Sequence, residues 1–448
     1  VSNNFTGLAE GDHTFKAYSQ DLGGNVNTTE TRTITIDTTA PTINFVSPTE
    51  DNGTTITVDN TTINVSSTDL QNISTFIDFD NSLVSWWRMD DVNGSGDVVD
   101  YTGRNNGSAE GDALINSTGK MGDGLHLDGT GDYVDVGSFS HTIRTISAWV
   151  KPSSLASYPM IVARAQGDFD FAASLNGNGI PYAYNTDTTQ SLYWDTTLQV
   201  GTWYHLVLTV DSTLGAKGYL NGLLEGNNSN IVSLPNTENL YIGKRADGYN
   251  FNGSIDDVMI FNRSLSADEI VGLYANTSSK YVSNNFTDLV EGEHTFKAYS
   301  QDLSGNVNST ETRSINVNTG MCSLGDIYTT CYVSEAWGVN NGMQLNFTNL
   351  VIQDGGSLYN TSTNIDNHGA SFTLNVTGNF TIESGGNVTG GNVTILAGNL
   401  TLEENGTVSS KGLGWEATYG PGAKTTGRVG GGHGGEGGGG YNGITIGG

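Results

Sequence analysis

Three kinds of residue in this sequence could do chemistry: paired carboxylates, paired cysteines and asparagines in acceptor triplets. Glycoside hydrolysis needs two carboxylates about 5–10 Å apart across the sugar bond, commonly placed as alternating acids on one strand. Asp168-Phe-Asp170 is the comparable pair in the middle of the chain, and no glutamate follows it in register. It reads as a polar strand face, and the chain is expected not to be an enzyme. His205, within Trp203-Tyr-His-Leu-Val, reads as structural rather than as a general base. Glu403-Glu-Asn405 reads as a turn, not a catalytic dyad. The sequence has no phosphate-binding loop, HExxH metal motif or nucleophile elbow.

Cys322 and Cys331 are the only cysteines. Their spacing suits a small disulfide, and two cysteines alone cannot complete a zinc site. The triplet Asn-x-Ser/Thr occurs 23 times. It begins at Asn4, Asn27, Asn52, Asn60, Asn64, Asn72, Asn93, Asn106, Asn116, Asn227, Asn252 and Asn262. Further copies begin at Asn276, Asn285, Asn308, Asn346, Asn360, Asn375, Asn379, Asn387, Asn392, Asn399 and Asn405. That density fits a heavily N-glycosylated extracellular chain. Asn and Thr also suit β turns and strand faces, and a chain rich in them forms triplets by chance.

The elements that position these residues follow from composition and periodicity. A length of 448 residues predicts roughly three domains. Asp and Glu total 47 against 18 Lys and Arg, for a net charge of −29. Charged residues make up only 15% of the chain, so the acidity comes from missing basic residues. This composition excludes intrinsic disorder, which needs high charge and little apolar content. It also excludes nucleic-acid binding, because no basic patch exists to neutralise phosphates. No apolar run reaches the ~18 residues of a membrane helix, and no signal peptide is visible. The sequence starts at Val1 inside a repeat and ends in a glycine-rich run. Both ends read as cuts through a longer polypeptide.

Residues 1–39 recur as residues 282–320 with 29 of 39 positions identical. Each copy reads as strand, turn, strand. Asp37-Thr-Thr-Ala-Pro-Thr-Ile-Asn-Phe-Val-Ser-Pro resembles the junction between tandem bacterial and archaeal Ig-like modules. On this reading, residues 1–39 are the C-terminal half of a truncated module. Residues 40–81 and 278–320 are the two halves of a second, split one. Residues 82–277 are then a domain inserted into a loop, which works when its termini lie close together at the surface.

The inserted stretch reads as short alternating strands, with one helix candidate after Leu265 capped by Ser266 and Glu269. It carries Leu83-Val-Ser-Trp-Trp-Arg-Met-Asp90, Gly131-Asp-Tyr-Val-Asp-Val136 and Thr145-Ile-Ser-Ala-Trp-Val-Lys-Pro152. Gly201-Thr-Trp-Tyr-His-Leu-Val-Leu208, Gly218-Tyr-Leu-Asn-Gly222 and Gly253-Ser-Ile-Asp-Asp-Val-Met-Ile-Phe261 follow in order. These motifs resemble the LamG-like, concanavalin A-like jelly-roll family. The resemblance implies two packed antiparallel sheets, often a bound calcium ion, and frequent roles in glycan binding or adhesion. Asp100, Asn105, Asp256 and Asp257 are hard oxygen ligands on turn-rich segments, the chemistry calcium prefers. They are the expected ligands, Asp100 and Asp256 foremost. Trp149 and Trp203 fall inside strand motifs and read as core, whereas Trp194 is the candidate surface platform for a sugar.

After Cys331 the texture changes. Gly378-Asn-Phe-Thr-Ile-Glu-Ser-Gly-Gly-Asn-Val388 returns as Gly398-Asn-Leu-Thr-Leu-Glu-Glu-Asn-Gly-Thr-Val408, and a weaker copy starts at Leu345. Such short apolar runs with Gly/Asn corners predict a parallel β-solenoid over 321–426 with ~20-residue rungs. The Gly-rich segment 427–448 is expected to be flexible. The whole reads as an all-β protein: an Ig-like sandwich split by a LamG-like jelly roll, then a solenoid. Its expected role is structural or adhesive at a cell surface, as an adhesin, stalk, filament or layer subunit. The alternative is a carbohydrate-binding module of a secreted polysaccharide-active protein. Expected partners are glycans, other cell-surface proteins or copies of itself.

Overall fold

The computed structural model describes the chain except residues 1, 117–118, 157, 165–168, 175–176, 186–188, 235–238, 246–247, 319, 321, 323–329, 341, 362–370, 391, 410–442 and 448. Asp168 and most of the glycine-rich tail lie outside the described residues, as does the side chain of Asn392. The protein is nearly all β, and its one helix among the described residues is Ala267–Leu273. Ser266 Oγ accepts the Glu269 N–H while the Glu269 carboxylate accepts the Ser266 N–H, forming the expected capping box.

Two compact units are present. The first holds residues 1–49, 62–284 and 295–313. Its centre is a jelly roll of two antiparallel sheets, one of seven strands and one of nine. The alternation in the sequence dictates the packing. In Thr145–Pro152, Ile146, Ala148 and Val150 enter the main core, while Ser147 and Trp149 face the other side. In Tyr204–Asp211, Leu206, Leu208 and Val210 do the same, and His205 faces away. Each such buried Ile, Leu or Val side chain contributes roughly 2 kcal/mol of transfer free energy.

Segments on either side of the jelly roll meet through long-range pairing. The strand Thr61–Phe79 runs antiparallel to Gly292–Asp302, with Phe79 opposite Phe296 and Ile73 opposite Asp302. Thr42–Val46 pairs with residues 64–68. The repeat copies differ sharply in burial. Phe15 is 47% exposed, whereas its counterpart Phe296 is 1% exposed and meets Phe45 edge-on at 5.2 Å. Ile34 is exposed and its counterpart Ile315 is buried. In the first copy Gly11–Phe15 pairs with Arg32–Ile36 and Tyr18–Gln20 with Val26–Thr28, and among the described residues no further strand pairs with either.

The second unit holds residues 50–61, 285–294 and 314–448. It is a parallel solenoid. Cys331, Leu350, Phe380 and Leu400 stand in register on successive rungs. One rung is longer than expected: Asn349 meets Asn379 across 30 residues, while Asn379 meets Asn399 across 20. The corners explain the Gly/Asn pattern. Gly355, Gly385 and Asn405 occupy equivalent corners with φ of 82°, 89° and 69°, a region open to Gly and tolerated by Asn. Cys322 and Cys331 form a disulfide. Within the tail expected to be flexible, Gly443–Gly447 instead forms a strand parallel to residues 392–396, because backbone pairing needs no side chain.

Candidate functional site

The seven-stranded sheet of the jelly roll has one face on the core and one outside it. Phe169, Phe171, Ala183, Leu192, Leu240 and Ile242 point into the core. Their neighbours must point out. Across six strands, Asp135, Tyr241, Ala163, Asp170, Tyr184 and Ser191 stand opposite one another in one row. Met160, Ala172, Tyr182 and Tyr193 form the adjacent row. Ala163 and Ala172 are small and fully buried, and larger neighbours close over them. Tyr158 and Tyr249, from the bordering loops, pack over them together with Tyr184.

The outer face is a linked aromatic array. Tyr158 meets Tyr182 at 5.9 Å and Tyr249 at 5.0 Å, both edge-on. Arg245 lies over the Tyr249 ring at 4.4 Å and pairs with Asp170 at 2.5 Å. Burial, and then the Asp170 charge, holds the Tyr182 phenol well above its usual range, so it is a neutral donor. Beside the array a cleft of about 290 Å³ is lined by Ser154, Tyr158, Tyr249, Asn250 and Asn252. Further along the sheet, Tyr133 and Tyr241 pack edge-on with Lys244 over both rings. Aromatic faces, amides and one oriented ion pair suit a polyhydroxylated ligand with apolar C–H faces. None of these tyrosines stands out in the sequence. The Tyr182-Ala-Tyr184 alternation was the available signal.

The four residues expected to hold calcium do not converge on an ion. Asp100 and Asn105 are brought together, but by a turn: Asp100 accepts N–H groups from Trp86, Thr102 and Asn105 and the Thr102 hydroxyl. Asn105 spends its amide on Ser85 Oγ. Asp256 accepts the N–H groups of Lys120, Met121 and Asp257. Asp257 accepts the Trp86 indole. Most of these oxygens are taken up by bonds within the fold, while Asp257 Oδ2 is buried without a hydrogen-bond partner. Acidic groups close enough to hold an ion occur elsewhere: Asp112, Asp128 and Asp132, and Asp37, Asp69 and Asp302.

Trp194 is not a surface platform. It is 2% exposed, lies against Phe171 at 5.7 Å and donates to the Tyr219 carbonyl at 3.1 Å. The pleat reverses the expectation by one residue: Tyr193 is the exposed neighbour. His205 is buried, with Nε2 2.8 Å from Ser147 Oγ, and burial, then the Lys280 charge, pulls it down to about 3. It therefore stays neutral. Trp149 is buried beneath Lys120 and stacked on Tyr274. Asn64 and Asn360 are buried, and Asn64 donates to the Ser47 carbonyl. Neither leaves room for a glycan on the folded chain. The other acceptor asparagines whose side chains are described are exposed or half-buried.

Residues 128–271 match the family model described as the concanavalin A-like lectin/glucanases superfamily. Domain 4 of AbnA, an extracellular arabinanase from Geobacillus stearothermophilus solved with arabinotriose, is similar at a TM-score of 0.37 and 20% identity. That likeness covers 43% of this chain and 98% of that one. Trypanosoma rangeli sialidase in complex with the inhibitor DANA is similar at a TM-score of 0.33 and 16% identity, over 43% of this chain and 33% of that one. The receptor-binding domain of a botulinum neurotoxin C/D mosaic serotype gives 0.34 and 20%, over 44% and 51%. No curated protein matches the chain. The chain thus contains a concanavalin A-like, LamG-like domain.

Proposed function

We propose that this is an extracellular modular protein whose jelly roll binds glycan on the outer face of its seven-stranded sheet. The observation that carries the reading is the packed cluster of Tyr158, Tyr184 and Tyr249, with Arg245 and Asp170 paired beside it and an amide-lined cleft bordered by Tyr158 and Tyr249. The family match over the same strands supports a lectin-like role. The disulfide and the exposed acceptor asparagines support an oxidising, glycosylating environment outside the cell. Binding is favoured over hydrolysis because Asp170 is held by Arg245 rather than free to act as acid or base. The test is a glycan array probed with the full chain. Tyr158→Ala and Tyr249→Ala should each weaken binding to the best glycan at least tenfold. Absence of binding to any glycan, or full retention in both variants, removes the reading.

A structural role in self-assembly has its own observation: Phe15, Tyr18 and Ile34 are exposed in the first repeat copy, and Phe296 and Ile315 are buried in the second. A neighbouring copy of the chain covering this face would supply filament or layer contacts. Sedimentation of the full chain and of Phe15→Asp tests it. Association that is identical in both, or absent from the native chain, counts against it.

A further inference from the structure

We infer that Asp37, Asp69 and Asp302 form a divalent-cation site at the junction after the first repeat copy, with calcium as the ion of best fit. Nearest oxygens of the three carboxylates lie within 4.8 Å of one another. They come from three separate places: the stretch after Arg32–Ile36, the middle of Thr61–Phe79 and the last residue of Gly292–Asp302. Their meeting is tertiary, and no local turn motif accounts for it.

A cluster of acids alone proves nothing, since acids often sit together on surfaces. Here a second observation points to a ligand. Asp37 is only 8% exposed, and its Oδ2 has no hydrogen-bond partner. Its other oxygen accepts a single long hydrogen bond of 3.3 Å, from the Thr39 N–H. A buried carboxylate oxygen with nothing bound is costly and calls for a counter-charge. Asp37 and Asp69 line a cleft of about 340 Å³ with Thr39, Thr42 and Thr68. Among the described residues, no Lys or Arg pairs with any of the three acids.

The remaining geometry fits a cation. Asp69 uses one oxygen for the Gln71 N–H. Asp302 accepts the N–H groups of Ser304 and Asn306 on Oδ1 and the Asn306 amide on Oδ2. Those bonds hold its carboxylate still, and a carboxylate offers about four lone-pair sites, so one remains for an ion. The same Asn306 amide reaches the Asp37 carbonyl at 3.2 Å, which positions Asp37 against Asp302. An all-oxygen set with several open positions suits calcium, which takes six to eight oxygens and completes its shell with water. Zinc would call for His or Cys.

Two comparisons within the chain sharpen the assignment. The counterpart of Asp37 in the second repeat copy is Asn318, so the charge is particular to the first junction. The other acidic group, around Asp132, is a turn clamp: its two oxygens accept the N–H groups of Asp112 and Asp128.

The test is calcium titration calorimetry on the full chain after EDTA treatment. The chain should bind one calcium equivalent that Asp37→Asn and Asp69→Asn each weaken at least tenfold, while Asp112→Asn leaves it unchanged. Asn318 shows that the repeat accepts asparagine at the position of Asp37, so Asp37→Asn keeps the fold, checked by circular dichroism. Calcium should raise the melting temperature of the native chain and not that of Asp69→Asn. Three results overturn the site: no calcium binding by the native chain, native affinity in both junction variants, or loss of binding in Asp112→Asn alone.

Discussion

The indole N–H of Trp86 donates to Asp257 Oδ1 at 2.8 Å, with both side chains sealed from water. The backbone N–H of the same tryptophan donates to Asp100 Oδ1 at 2.8 Å. Two acids that resemble calcium ligands in sequence therefore clamp one tryptophan from two sides. Asp257 also sits at φ 46°, a left-handed conformation rare for a residue with a side chain, and its bond to Trp86 helps hold it there.

This clamp predicts an unusual pH dependence. Burial, and then the charge of Asp90, pushes Asp257 up to about 8. The folded value lies above the unfolded value of about 3.9. Its contribution is therefore fully present below pH ~4 and is lost as pH rises through 8. His205 acts in the opposite sense. Its folded value near 3 lies below the unfolded ~6.5, so its contribution is present above that value and is lost as pH falls through 3. Urea midpoints of the full chain should thus fall on both sides of a maximum in the mildly acidic range. In Asp257→Asn the decline from pH 6 to 8.5 should flatten. An equally steep decline in that variant would show the slope belongs to other groups.

Trp194 gives a prediction that separates packing from ligand contact. A Cβ on Gly218 would lie 2.5 Å from the indole, so the glycine makes room for the ring. Trp194→Ala removes a large core side chain and should cost about 3–5 kcal/mol. Gly218→Ala overpacks the same spot and should cost about 1–3 kcal/mol. Both losses are read from urea unfolding. A glycan affinity that collapses in Gly218→Ala without any loss of stability would restore Trp194 to the ligand site.

The contrast between Trp194 and the tyrosine cluster shows what was legible. Alternation marked the strands around Ile146 and Leu206, because one sheet face must be apolar. It could not say which neighbour in Tyr193-Trp194 points out, since a one-residue slip reverses both. The solenoid was legible because its Gly/Asn corners repeat. Its longer rung was not, because the earlier copy starting at Leu345 matches the later two only weakly. The tyrosine cluster was invisible because Tyr158, Tyr182, Tyr184 and Tyr249 come from separate strands and loops, and Arg245 meets Asp170 across 75 residues. The cluster of Asp37, Asp69 and Asp302 was hidden for the same reason. Acid counts cannot reveal which acids the fold brings together.

The ion pair beside the tyrosine cluster can be tested apart from the tyrosines. Asp170 is almost wholly buried, while Arg245 keeps part of its surface in water. Removing the cation leaves a buried carboxylate with less compensation. Arg245→Met should cost about 3 kcal/mol, the low end for breaking a buried pair, because Arg245 is not fully desolvated. Asp170→Asn paired with Arg245→Met should recover part of that loss, since neither partner then carries a charge. A double variant as unstable as the sum of both singles would mean the two residues act independently.

The last prediction concerns the packing of the strand Thr61–Phe79 against the jelly roll. Phe76 belongs to the strand Thr61–Phe79, which pairs with residues of the second repeat copy. Its ring nevertheless meets Trp86 at 5.4 Å and Phe261 at 6.0 Å, both in the jelly roll, and stacks on Tyr299 at 5.3 Å. One small apolar cluster, with Leu265 and Ile270 of the helix region, thus joins this strand to the jelly roll. An inserted domain with an independent core would melt on its own. Here, removing Phe76 opens a cavity that this strand and the jelly roll both line. Phe76→Ala should cost about 3–5 kcal/mol. Calorimetry should show the transitions of the jelly roll and of the sheet holding this strand moving down together. If only one of two resolved transitions moves, the shared cluster does not couple them and the two are energetically separate.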